Sequence, residues 1–224
     1  MVTVKLMENV MKANEAAAEA NARRMEEAGI FAVDMMSSPG SGKTTILERT
    51  LDALGGELRT AVIEGDVDTS RDAERIAARG AQVVQINTGG ACHLDAKVVQ
   101  EALESMDLQG HDLLFIENVG NLICPAGYRL GESQRVMVLS VTEGVDKPEK
   151  YPAMFRSCSV ALVNKIDLLE VLGMDIREVA DEIRRVNPEI KILPVSARTG
   201  EGMEAWYEWL TVEARRTRRS AVRA

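Results

Sequence analysis

Cysteine and histidine are scarce in this chain. Its 224 residues hold three cysteines (Cys92, Cys124, Cys158) and two histidines (His93, His111). An odd cysteine count excludes a fully paired disulfide framework. In a reducing compartment the three are thiols: buried, reactive or metal-binding. Long apolar runs are missing too. None approaches the roughly 18 residues of a membrane span, and the opening MVTVKLMENV lacks a signal-peptide core. The expectation is a cytoplasmic chain with no membrane partner. Positive charge is in deficit, 27 Lys and Arg against 35 Asp and Glu, so the net charge is -8. That balance disfavours a nucleic-acid partner. What is present is ordinary for a globular protein, 46% hydrophobic and 28% charged, and excludes wholesale disorder. The length suits one doubly wound α/β domain.

The charge is uneven. Residues 215–224 carry five arginines and no acid, which leaves -13 for the rest of the chain. A solvated, frayed helix end accounts for such a tail, because cations suit helix C-termini; a basic patch for RNA or acidic lipid is the alternative.

Strand-like and helix-like segments alternate. Glu8–Glu27 is rich in Ala, Glu, Met and Arg and lacks Gly and Pro, which predicts a helix ended by Gly29. Apolar runs, most of them continuous, then recur at 30–36, 61–63, 83–86, 113–116, 136–141, 160–163 and 192–195. Continuous rather than alternating runs suit strands buried on both faces. Helical stretches are expected between them at 43–54, 71–78, 95–105, 149–155, 176–186 and 203–216. The rhythm predicts an α/β fold with a mostly parallel central sheet of about seven strands and helices on both faces. The expected division is an N-terminal helical extension packing on the core (1–29), a nucleotide-binding domain (30–213) and a basic tail (214–224).

The run Ser37-Ser38-Pro39-Gly40-Ser41-Gly42-Lys43-Thr44-Thr45 leaves the first strand and opens a helix, the context a phosphate loop requires. Gly40 and Gly42 let backbone N–H groups turn toward phosphate oxygens, and the helix N-terminus adds its positive dipole end. Lys43 reaches the β/γ-phosphates, and the Thr44 hydroxyl can ligate Mg²⁺. Ser37 stands where the pattern has its first glycine, which leaves the entry geometry open.

Asn164-Lys165-Ile166-Asp167 follows a later strand and resembles the N-K-x-D motif of GTPases. There the carboxylate accepts hydrogen bonds from guanine N1–H and the exocyclic amine, a pair adenine lacks. Asn164 is expected on the purine edge and the Lys165 stem on the ring face. Ser196-Ala197-Arg198 resembles the loop whose alanine N–H meets guanine O6. Together these favour GTP over a small-molecule kinase using ATP. Acids close the second and fourth strands, Glu64-Gly65-Asp66-Val67-Asp68 and Glu117-Asn118-Val119-Gly120. Parallel strands present those ends to the phosphate loop. Asp66 and Glu117 are candidate Mg²⁺ ligands, and Gly120 a donor to the γ-phosphate. Asp68 and Asp72 suit either helix capping or positioning of the attacking water. No glutamine follows Gly120, so slow intrinsic hydrolysis is expected.

Cys92-His93 follows the third strand, and Cys124 lies four residues beyond Gly120. Thiolate and imidazole suit nickel or zinc. A lone cysteine is equally well a small buried hydrophobe, the reading for Cys158. His111 reads as part of a surface turn. Three ligands do not close a four-coordinate shell, but a symmetric dimer supplies a second set. Lys147 and Lys150 suit either a reach across that dimer or plain surface.

Taken together, SSPGSGKT, EGDVDT, NTGGACHLD, FIENVGNLICPA, GVDKPEKYPAMF, NKIDLL and VSARTGEG resemble the HypB family, from about Ile30 to Trp209. Those are GTPases that help deliver nickel to [NiFe] hydrogenases. The resemblance implies a fold of the signal-recognition and MinD class, GTP hydrolysis, and a homodimer promoted by GTP and metal. Cys92, His93 and Cys124 would hold nickel or zinc. The nickel chaperone HypA and the hydrogenase large subunit would be partners. Related assembly GTPases for urease or cobalamin enzymes remain the rival reading within the fold. The implied mechanism is a metal site gated by nucleotide through the 117–124 segment. A thousandfold change in affinity there requires about 4 kcal/mol.

Overall fold

The computed structural model describes residues 6–67 and 69–222; the side chains of residues 6–8 lie outside that description, as does Asp68. Helix α1 (Leu6–Glu27) leads into strand β1 (Phe31–Ser37). Then come α2 (Lys43–Leu54), β2 (Thr60–Asp66), α3 (Arg71–Ala77), β3 (Gln82–Asn87), α4 (Ala96–Ser105) and β4 (Leu113–Glu117). After β5 (Gln134–Ser140), two short helices, α5 (Lys147–Lys150) and α6 (Pro152–Ser157), precede β6 (Val160–Asn164). The chain closes through α7 (Leu169–Leu172), α8 (Ile176–Val186), β7 (Lys191–Pro194) and α9 (Met203–Ala221). The seven strands form one parallel sheet in the order β3-β2-β4-β1-β5-β6-β7. No helix among the described residues is long and apolar enough to cross a membrane.

The period-2 alternation of strand side chains sorts the core into two faces. Phe31, Val33 and Met35 point with Val62, Phe115 and Val138 toward α2 and α9. Ala32, Ala61, Ile63 and Ile116 point toward α1 and α4, and Met137, Leu139 and Val163 toward α6 and α8. This is why the apolar runs are continuous: both faces are dry. Trp206 of α9 is fully buried and donates from Nε1 to Thr50 Oγ1 at 3.0 Å.

Helix α1 packs on the core through two buried asparagines. Asn21 Nδ2 donates to Ala96 O (2.8 Å) and Leu130 O (2.9 Å), and Asn14 Nδ2 donates to Arg129 O (2.9 Å) while its Oδ1 accepts from Ala96 N–H (2.9 Å). Gly131, at φ +100°, lets the chain pass so close that a Cβ there would meet Ala18 O at 2.6 Å.

Three expectations need correction. The arginine-rich C-terminus is not a frayed tail: α9 runs unbroken to Ala221, with Arg215 paired to Glu57 at 3.3 Å and Arg218 to the buried Asp112. The helix expected at 149–155 is two short ones meeting at Tyr151, because Pro152 cannot donate within a continuous helix. His111 is not on a surface turn. It is 7% exposed, in the connection that returns the chain from α4 to β4.

Candidate functional site

A cleft of about 520 Å³ opens at the carboxyl ends of the strands, lined by Pro39–Thr45, Glu64–Val67, Asp72, Arg75, Glu117–Gly120 and Lys165. β1 lies between β4 and β5, so its exit meets acids from β2 and β4 on one side. Gly40 (φ +74°) and Gly42 (φ +99°) hold left-handed conformations that aim the loop's amides inward. A Cβ on Gly42 would strike Asn164 Nδ2 at 2.5 Å. Ser37 proves adequate at the loop's entry: no positive φ is needed there, and its hydroxyl accepts from Lys43 Nζ at 2.7 Å while donating to Ser38 O at 2.6 Å. Thr44 Oγ1 donates to Glu117 Oε1 at 2.9 Å. Thr45 completes the lining.

The electrostatics of the cleft point to a cation. Burial lowers the Lys43 pKa and raises that of Glu117. Glu64, neighbour of Glu117 across the β2–β4 ladder, is pushed up to about 8 by burial and then by Glu117 and Asp66. Glu64 Oε2 and Glu117 Oε2 are buried with no hydrogen-bond partner. Two orphaned carboxylate oxygens beside a hydroxyl fit a hard divalent ion, which prefers oxygen ligands. Asp66 lines the same space and accepts from Thr69 N–H at 3.1 Å. Asp72 pairs with Arg75 at 2.8 Å in the first turn of α3. Asp68 lies outside the described residues.

The base-recognition elements adjoin the cleft on the next strand ends. Asn164 is 1% exposed. It braces two loops: Nδ2 donates to Ser41 O (2.8 Å) and Oδ1 accepts from Ala197 N–H (3.0 Å), the amide expected for guanine O6. Lys165, the one described non-glycine residue at positive φ (+65°), donates from Nζ to Gly40 O at 2.8 Å. Ser196 Oγ donates to Asp167 Oδ1 at 2.6 Å and so orients that carboxylate. Arg49, unmarked in the sequence, donates to the carbonyls of Ala197 and Arg198, the latter at 2.5 Å. Glu143, also unmarked, accepts from Ser41 Oγ at 2.7 Å and from Ser140 N–H at 2.9 Å.

The third group of residues comes together from two loops. One ligand atom each of Cys92, His93 and Cys124 lies within 4.8 Å of the others. Cys92 is exposed, and Cys92 Sγ stands 3.6 Å from His93 Nδ1. Partial burial lowers the His93 pKa, which favours the neutral, lone-pair-bearing imidazole. The neighbouring Cys92 thiol holds that of Cys124 above its ordinary value. Cys158 lies apart, 3% exposed, donating to Met154 O at 3.2 Å; burial pushes its pKa up to about 12.

Phosphate cleft and thiol cluster share one segment. The 117–120 stretch runs against the phosphate loop, where a Cβ on Gly120 would meet Pro39 N and Cα at 3.0 Å. It then turns through a single 3-10 turn at Cys124–Gly127. Asn118 ties it to the other loop: its Oδ1 accepts from Leu94 N–H (3.2 Å) and Val119 N–H (3.0 Å), and Nδ2 donates to the buried Asp34 (3.2 Å). Gly65 backs onto the Leu94 side chain so closely that a Cβ would lie 2.9 Å from it. Nothing in the sequence marked Asn118 as this link.

The class these features define is a P-loop, guanine-type nucleotide-binding protein with a soft-ligand cluster joined to its switch segment. Residues 32–194 match the nucleotide-binding domain model described as CobW/HypB/UreG. The hydrogenase maturation factor HypB of Rhizobium leguminosarum bv. viciae is 50% identical over 98% of this chain and 74% of its own. The crystal structure of HypB from Archaeoglobus fulgidus superposes with a TM-score of 0.85 at 39% identity, covering 91% of this chain and 99% of that one. HypB from Helicobacter pylori in complex with nickel gives 0.86 at 36% identity, covering 91% and 96%. The chain belongs to the HypB family of hydrogenase maturation factors.

Proposed function

We propose that this protein hydrolyses GTP and uses the cycle to bind and release nickel during assembly of a [NiFe] hydrogenase. The observation that carries the reading is the shared segment: the stretch packed on Pro39 of the phosphate loop is the one that leads to Cys124 beside Cys92 and His93. Lys43 neutralises the phosphates, the loop amides cradle them, and Asp167 reads guanine. Thr44, Asp66 and Glu117 would hold Mg²⁺, which supplies charge neutralisation between the β- and γ-phosphates. Gly120 N–H meets the γ-phosphate, and Asp68 with Asp72 orients water. Loss of the γ-phosphate frees the 117–120 stretch, Cys124 shifts, and the cargo site weakens. Nickel is the cargo and zinc its competitor for the same three ligands.

Three ligands leave a four-coordinate shell unfinished, so a second copy of the chain completes it in a GTP-promoted homodimer. Ile123, 68% exposed beside Cys124, supports an interface there, since a large apolar side chain gains most by being covered. Nickel passes between HypA, this protein and the hydrogenase large subunit.

Metal bound per chain, measured anaerobically with GDP and with a non-hydrolysable GTP analogue, tests the reading. Binding should differ between nucleotides and vanish in Cys92→Ala and Cys124→Ala. Binding indifferent to nucleotide that survives both substitutions would refute it.

A further inference from the structure

Cys92 and His93 stand side by side on one loop. That loop turns at Gly89 (φ +58°) and Gly90 (φ +102°), both open to solvent. What lies against the imidazole is the ring of Tyr128, with centroids 4.1 Å apart and planes inclined by 38°. Tyr128 sits just past the Cys124–Gly127 turn, so it enters from the Cys124 side of the cluster.

The backbone carrying that ring is fixed from several directions. Tyr128 N–H donates to Pro125 O at 3.1 Å. Arg135, at the start of β5, donates to Ala126 O (3.1 Å) and to Tyr128 O, so one guanidinium holds carbonyls on both sides of Gly127. Arg135 is itself buried and paired through Nε to Glu132 Oε1 at 2.6 Å, while Glu132 Oε2 accepts from Leu130 N–H at 2.6 Å. Helix α1 adds the Asn14 and Asn21 bonds to the next two carbonyls. A buried ion pair with its remaining valences filled is a stiff support, because moving either partner strands a charge. An aromatic ring on a stiff backbone is a surface against which a mobile imidazole settles.

We infer that Tyr128 is a positioning residue for His93: its ring sets the plane of the imidazole, and so directs the His93 nitrogen to the metal held by Cys92 and Cys124. The inference rests on the metal-site reading above and deepens it. The ring face does this work and the hydroxyl does not, so phenylalanine should serve equally. Outer groups that orient a ligating imidazole typically change metal affinity by about 10- to 100-fold.

The test is nickel titration of the full chain, anaerobic, with the thiolate-to-nickel charge-transfer spectrum recorded at each point. The variants are Tyr128→Phe, Tyr128→Ala, His93→Ala and the double variant His93→Ala/Tyr128→Ala, each checked for fold by circular dichroism. Tyr128→Phe should bind within about threefold of the parent, with the same spectrum. Tyr128→Ala should bind about tenfold more weakly, with the spectrum of His93→Ala, and the double variant no more weakly than His93→Ala alone. Parental affinity and spectrum in Tyr128→Ala would overturn the inference, as would losses that simply add in the double variant. Nickel binding by the parent that persists in Cys92→Ala/Cys124→Ala would instead overturn the metal-site reading, and this inference with it.

Discussion

The phosphate cleft and the thiol cluster lie at the same edge of the sheet yet are built in opposite ways. The cleft is mostly backbone: nine consecutive residues, two obligatory positive-φ glycines and a helix start, braced by the buried Asn164, by Lys165 and by Glu143. The cluster is all side chain: three residues from two loops about thirty positions apart, the foremost of them exposed. A site made of backbone on a buried strand is shaped before its ligand arrives. A site made of side chains on loops is shaped by whatever holds those loops, here Asn118, Leu94 and Tyr128. The first arrangement suits tight, constant binding, and the second suits cargo that must be let go.

Substitutions that strike one region and spare the other give the sharpest test. The largest effect should come from Lys43→Ala, which removes the buried ammonium from the phosphates. GTP turnover should fall by about 10³-fold or more, while nickel bound with no nucleotide present stays near parental; steady-state hydrolysis and metal titration check the two halves. In the opposite direction, Cys124→Ala should abolish nickel binding and leave GDP affinity within a few-fold, read by fluorescence of a labelled nucleotide. Asp167→Asn should cost roughly 10- to 100-fold in guanine binding, as expected for a hydrogen bond to a charged group. It should also shift preference toward xanthine nucleotides; unaltered selectivity in a competition assay would refute the assignment.

Asn118 is where the two regions join, so Asn118→Ala should blur the comparison itself. The ratio of nickel affinities with GTP analogue and with GDP should shrink by about tenfold, since three buried hydrogen bonds at roughly 1 kcal/mol each are lost and the one to Leu94 N–H links the two loops. A ratio that persists would mean the coupling runs through the 120–124 turn alone. The smallest effect concerns Asp34, buried beneath Asn118, whose pKa is pushed up to about 7 by burial and then by Glu132. The folded state therefore holds a proton that the unfolded state releases near the ordinary value of 3.8. Its contribution is fully present below that value and is lost as pH rises through about 7. Asp34→Asn should flatten the decline of Tm over that window, measured without nucleotide.

Much of this was legible along the chain. Continuous apolar runs marked all seven strands, because a strand covered on both faces cannot afford a polar alternation. α2 and α8 have the bounds expected from their periodicity. The phosphate loop was legible because its chemistry is local: glycine, lysine and threonine at fixed spacing after a strand. The errors came where neighbours from elsewhere decide. His111 reads as surface until the α4–β4 connection folds it inside, and the arginine-rich end reads as a frayed tail until Glu57 meets Arg215 and Asp112 meets Arg218. Asn164 reads as a base ligand, and only the fold shows that it also ties Ser41 to Ala197. Glu64 and Asn118 stand inside quoted motifs that give them no role, Tyr128 and Arg135 stand in none, and spacing does not reveal what any of the four touches.

By itself the sequence determined the sheet, the phosphate loop and the three candidate soft ligands, since each depends on residue type and short-range spacing. Only the tertiary structure decided which groups face one another. It set Glu64 beside Glu117, put the 117–120 segment against Pro39, and laid the Tyr128 ring against His93. The reason is physical: backbone conformation is a local property, whereas burial, pairing of charges and ring contacts depend on distances that the folded chain alone establishes.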